Sequence, residues 1–75
     1  MTPEDVVSRV FNVSRDRVSD ATSNAEVADW DSLGHMTLIV ELESVFGVSV
    51  SAEDALAMTD VASIKRILSH RGARW

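Results

Sequence analysis

The stretch that decides the fold is SLGHMTLIVELESVFG, residues 32–47. Leu33, Met36, Leu38, Ile39, Val40, Leu42, Val45 and Phe46 recur at helical intervals, with Ile39, Leu42 and Phe46 at i, i+3 and i+7 and Leu38 and Val45 beside them. So broad an apolar face predicts the central helix of a bundle, running from about Ser32 to Phe46. Gly47 then stops it, in the position where chains leave helices through a left-handed residue.

On the N-terminal side, Thr2-Pro3 is a helix start. Thr2 can cap, Pro3 loses nothing at the first helical position, and Asp5 suits the positive first turn. Val6, Val7, Val10 and Phe11 form one stripe ending near Asn12 or Val13. From Ser14 to Asp29 periodicity disappears among Ser, Asp, Asn and Thr. A connection this long is uncommon unless it is functional or hides a short helical turn. It is expected to wrap the bundle and pin itself through Val18, Ala21 and Val27.

On the C-terminal side, Val48-Ser49-Val50-Ser51 alternates like a strand but has no partner to pair with, so it predicts an extended connector. Ser51 can cap a short helix through Ala52–Leu56. Asp60 can cap a last helix that buries Val61, Ile64, Ile67 and Leu68, with Lys65, Arg66, His70 and Arg71 toward its negative end and Gly72 beyond. The expectation is one all-α domain over residues 1–75. It is a small antiparallel four-helix bundle of three main helices and one short one, with a long first loop.

With 75 residues there is room for one small core, and no cysteine exists to staple it. Two histidines make a structural zinc site improbable, so no metal is expected. The start Met1-Thr2-Pro3-Glu4-Asp5 has neither the basic residues nor the apolar run of a secretory signal, and no stretch is long enough to span a bilayer. These features predict a cytoplasmic setting. Net charge is −5, unevenly spread: residues 1–64 carry all 12 acids against three arginines, a net of −9, and residues 65–75 return +4. Such a body repels nucleic acid and anionic membrane and is drawn to basic protein surfaces.

Chemistry concentrates in Asp29-Trp30-Asp31-Ser32-Leu33-Gly34-His35-Met36, where an unusual local sequence meets a helix start. A serine there lies at the positive end of the dipole, where backbone N–H groups stabilise an anion attached to its hydroxyl. Capping by Ser32 or Asp31 is the plainer explanation of the same residues. His35, three residues on, shares a helical face with Ser32. A Ser/His hydrolase is not expected, because there is no G-x-S-x-G turn or oxyanion hole and the body is too small to enclose a substrate. His35 is therefore read as a surface histidine, Trp30 as an anchor of the loop, and Trp75 as a frayed terminus.

Asp31-Ser32-Leu33, followed by a helix ending Leu42-Glu43-Ser44-Val45-Phe46-Gly47-Val48, resembles the attachment motif and second helix of acyl carrier proteins. The similarity extends over the whole layout of helices and loops. It implies that the Ser32 hydroxyl is joined through a phosphodiester to 4'-phosphopantetheine by a separate phosphopantetheinyl transferase using coenzyme A, and that the terminal thiol carries the acyl group. The protein would then be a monomer and no enzyme, serving loading and transferring enzymes with basic docking surfaces in fatty acid, polyketide or other specialised biosynthesis. The resemblance makes Asp31 part of transferase recognition and has Leu33 and Met36 meet partners beside the arm, although Met36 fits a core gap equally well. Glu41, Glu43, Glu53 and Asp54 are candidates for an acidic docking surface, or for an ordinary solvated face. The alternative function is an unmodified acidic adaptor of the same fold that binds a basic partner.

Two residues depart from the pattern of fatty acid carriers. Where many of those have an acidic or hydroxyl residue after the leucine, this chain has Gly34, then His35. Glycine within a helix costs up to about 1 kcal/mol relative to alanine, which weakens the segment bearing the serine. Asp-Ser-Leu-Gly-His-Met looks more like free-standing carriers of specialised pathways. Trp30-Asp31-Ser32 does not match the Gly-Gly-His/Asp-Ser motif of peptidyl carriers.

Overall fold

The computed structural model describes residues 1–75. Four helices follow one another: α1 (Pro3–Phe11), α2 (Ser32–Phe46), α3 (Ala52–Ala57) and α4 (Val61–His70), with one 3-10 turn at Arg15–Arg17 in the first loop. This is the all-α arrangement of three main helices and one short one.

Local chemistry sets each boundary. Thr2 accepts the Asp5 N–H at 3.2 Å while the Asp5 carboxylate accepts the Thr2 N–H at 2.9 Å, and Ser51 and Asp54 form the same reciprocal pair before α3. Asp60 accepts the Ser63 N–H at 2.7 Å to open α4. Gly47 ends α2 at φ 64° and donates its N–H to the Glu43 carbonyl. At the end of α1 the left-handed residue is Asn12, φ 53°, one of the few side chains that tolerates that region.

Val6, Val7, Leu38, Leu42, Met58, Val61, Ile64 and Leu68 are fully buried in one cluster that Phe11, Val18, Trp30 and Ala73 complete. The inner faces of α1, α2 and α4 thus share a single core with the loop and with Met58, the residue that ends α3, while α3 itself buries no side chain. Trp75 is held against Phe46, edge to face with ring centroids 5.8 Å apart, so the expected frayed terminus is packed instead.

The first loop is pinned differently from expectation. Val18 is buried and Val27 half-buried, but Ala21 is exposed. The stronger attachment is through the backbone. Val61 N–H donates to the Thr22 carbonyl and Ala62 N–H to that of Asp20, both at 3.0 Å, while Asn24 N–H donates to Thr59 O at 3.2 Å. The first N–H groups of a helix have no partners within it, so the loop satisfies α4's while fixing itself. Thr22 is the one buried polar residue of the loop, and its hydroxyl accepts the Ser19 N–H and donates to the Arg17 carbonyl.

Candidate functional site

Ser32 is the first residue of α2 and is exposed. Asp31 precedes it as the cap: its carboxylate accepts the Gly34 N–H at 2.8 Å and its carbonyl the His35 N–H at 2.7 Å. Asp31 therefore performs the capping role, and the Ser32 hydroxyl takes no part in the hydrogen bonds around it. An exposed, unengaged hydroxyl at the positive end of a 15-residue helix is open to modification, and N–H groups not used within the helix lie where an attached phosphate would need donors.

Behind Ser32 lies a contact invisible in the sequence. Trp30 is buried and stacks on Phe11, centroids 5.3 Å apart, and on His35 at 6.2 Å. Its Nε1–H donates to His35 Nδ1 at 2.8 Å, and His35 Nε2 lies 2.7 Å from the Ala55 carbonyl of α3. Because an indole nitrogen only donates, Nδ1 is the acceptor, the ring proton sits on Nε2, and Nε2–H donates to Ala55. Trp30 is the loop anchor the sequence led us to expect. His35 is not a surface histidine but a half-buried bridge from the loop to α3, and with both nitrogens engaged it offers no free base to Ser32.

Gly34 explains itself by close approach. A Cβ there would fall on the Asp29 carbonyl oxygen, with Phe11 Cε1 at 3.0 Å and the Asp29 carbonyl carbon at 3.2 Å. Only a glycine lets the loop lie against the first turn of α2.

Beside the serine, Leu33, Met36 and Val40 are exposed, 74%, 67% and 64% respectively. They occupy i, i+3 and i+7, so α2 buries Leu38 and Leu42 on one side and shows a second apolar stripe to solvent. Met36 is thus on the surface, not in the core. Val40, not singled out from the sequence, completes the stripe, and Leu56 on α3 is exposed by 79%. Contiguous exposed apolar side chains of this kind mark interaction surfaces.

The acidic candidates divide. Glu41 faces Arg9 at 3.6 Å and Asp54 pairs with Arg71 at 2.7 Å, while the Glu43 carboxylate accepts the Val50 N–H at 2.8 Å and tethers the connector to α2. Burial pushes the Asp54 carboxyl up, but the Arg71 hydrogen bond, the Ser51 N–H and the Arg71 charge together hold it below the usual aspartate value. Glu53 is exposed and belongs to no ion pair or side-chain hydrogen bond. No three His, Asp or Glu side chains gather as a metal-binding group, and no helix is long and apolar enough to cross a membrane.

An exposed, unengaged serine at the head of the longest helix of a small four-helix bundle is the arrangement that a carrier of a covalently attached group requires. The chain belongs to the family whose model is the phosphopantetheine attachment site, which matches residues 4–68. It is also similar to an acyl carrier protein of Lactobacillus johnsonii (strain CNCM I-12250 / La1 / NCC 533), 28% identical over 68 residues, covering 89% of this chain and 85% of that protein. The protein is thus a non-enzymatic carrier whose cofactor is covalently held phosphopantetheine, and as a family member it is modified by a phosphopantetheinyl transferase and works with pathway enzymes. When attached, that group supplies a terminal thiol on which acyl cargo rides as a thioester.

Proposed function

We propose that Ser32 is the attachment residue and that the protein is a cytoplasmic, monomeric carrier serving a specialised biosynthetic pathway. The observation that carries the reading is the Ser32 hydroxyl itself: exposed, unengaged, and at residue one of a helix whose neighbours are held rigidly by the Asp31 cap and the Trp30–His35–Ala55 bridge. Every enzyme that meets the arm must find its base in one geometry, which a rigid first turn supplies. In the modification, Ser32 Oγ forms a phosphodiester with the pantetheine phosphate of coenzyme A, the pyrophosphate bond breaks, adenosine 3',5'-bisphosphate leaves, and the hydroxyl proton passes to the transferase or solvent.

In this reading Asp31, Leu33 and Met36 meet the partner enzymes, with Val40 extending their apolar stripe. Glu41 and Glu53 supply accessible negative charge beside it, and Glu43 and Asp54 add to the field while doing structural work. Partners with a basic rim around an apolar patch fit this surface. The departure from bulk fatty acid synthesis rests on Gly34 and His35, which replace the acidic start of α2 with a glycine contact and an uncharged bridge.

Intact mass spectrometry after incubation with a broad-specificity phosphopantetheinyl transferase and coenzyme A tests the attachment. A single addition lost in Ser32→Ala is expected. An addition that survives Ser32→Ala would move the site elsewhere, and no addition in the wild type would remove Ser32 from consideration.

A further inference from the structure

Building on the attachment at Ser32, we infer that this carrier keeps its cargo outside the bundle, in the groove between the start of α2 and α3, and that it suits short polar acyl groups rather than long saturated chains. The groove holds about 380 Å³ and is lined by Asn24, Asp31, His35 and Thr59 beside Ser32, with Trp30, Ala55 and Leu56 as its apolar part. It is open to solvent, and none of Leu38, Leu42, Met58, Val61, Ile64 or Leu68, the fully buried centre of the bundle, lines it.

A chain entering the interior from Ser32 would have to part α2 from α3. That seam is closed by His35, which holds Trp30 on one side and the Ala55 carbonyl on the other through bonds of 2.8 and 2.7 Å. Opening it breaks the His35–Ala55 bond and leaves the half-buried His35 ring N–H without its acceptor. The polar groups of the groove also point to its occupant. Asp31 and His35 are committed to the fold, but the Asn24 amide and the Thr59 hydroxyl take part in none of the protein's side-chain hydrogen bonds, and only their backbone atoms are joined. They are free to meet a thioester carbonyl or a hydroxyl on a short acyl group. Leu56, exposed at the rim, can cover a few carbons and no more.

The test uses the full chain loaded by a transferase from 3-hydroxybutyryl- and octanoyl-coenzyme A, with intact mass confirming each product and Ser32→Ala as control. Hydroxylamine cleavage of the two thioesters is timed, and methyl spectra of Leu42, Met58, Ile64 and Leu68 are compared. The expected result is cleavage rates within about twofold of each other, since burying even one methylene protects by roughly fourfold, and core methyls indifferent to the cargo, with changes confined to the groove. His35→Ala should let octanoyl, and only octanoyl, perturb the core methyls; if that variant does not fold, the wild-type comparison decides. Slower octanoyl cleavage with shifted core methyls in the wild type overturns external cargo while leaving the attachment intact. Failure to gain mass instead overturns the attachment, and this inference with it.

Discussion

Replacing Gly34 by alanine sets two effects of opposite sign against each other. On helix propensity alone the substitution should stabilise α2, by up to about 1 kcal/mol. Against that, the new methyl would land on the Asp29 carbonyl oxygen, with Phe11 Cε1 at 3.0 Å. The obstructing atom is backbone, in a segment tied by Trp30 N–H to the Val27 carbonyl at 3.0 Å and by the buried Trp30 ring. Forcing a methyl into a filled site costs about 1–3 kcal/mol, and an immobile neighbour favours the upper end. The net expectation is a loss of about 1–2 kcal/mol, which in a domain of this size lowers the melting temperature by roughly 4–16 °C. Circular dichroism at 222 nm follows the unfolding, and the Trp30 indole resonance reports whether the loop has moved. A Gly34→Ala protein that melts at or above the wild-type temperature would show that propensity wins, and that the loop does not lie on α2 as described.

Three further perturbations have definite outcomes. His35→Ala leaves the buried Trp30 N–H without an acceptor and should cost about 1–3 kcal/mol; adding Trp30→Phe should cost less than the sum of the two single changes in chemical denaturation, and strict additivity would mean that the bridge carries no energy. Glu53→Arg should slow transferase modification more at low salt than at high, because exposed charges are screened within about 10 Å at 0.1 M, whereas equal slowing at both salts counts against an electrostatic footprint. Asp60, whose carboxyl the Ser63 N–H holds below the ordinary aspartate value of 3.8, contributes stability that is full above that value and is lost as pH falls through the lower folded-state value. The stability gap between wild type and Asp60→Asn, measured in urea, should therefore close toward pH 2, and a gap unchanged at that pH would refute the assignment.

Helix boundaries were legible because capping is local. Thr2, Asp31, Ser51 and Asp60 each bond an N–H three residues on, so the caps could be read from neighbouring letters, and α2 runs Ser32–Phe46 as its periodicity indicated. What escaped reading joins distant residues. His35 meets Ala55 across 20 positions, Arg9 meets Glu41, and the Asp20 and Thr22 carbonyls meet the start of α4, pairings that no periodicity encodes. Gly34 misled for the same reason. Judged as a helix residue it is a weakness, and only the approach of Asp29 makes it a requirement. Val40 was visible as an apolar residue, but which of two apolar faces of α2 turns outward is decided by where α1 and α4 lie.

The length of the first loop follows from the work it does at both ends of its path. At Asp20 and Thr22 its carbonyls accept the first N–H groups of α4, and at Trp30 its indole reaches His35 and, through it, α3. The starts of α2 and α4 and the body of α3 are thereby joined around Ser32 by short directional bonds rather than by apolar contact alone. Apolar contacts tolerate sliding, whereas a hydrogen bond weakens steeply once its angle is lost, so these links fix position better than the same area of side chain would. A carrier needs that combination. The arm gains reach from its own flexibility, and a base that also moved would spread the thiol over more volume and lower its concentration at each active site. If the arm is attached at Ser32 as proposed, the rigidity of its surroundings is therefore part of how cargo is delivered, and the loop that looks least structured in the sequence provides it.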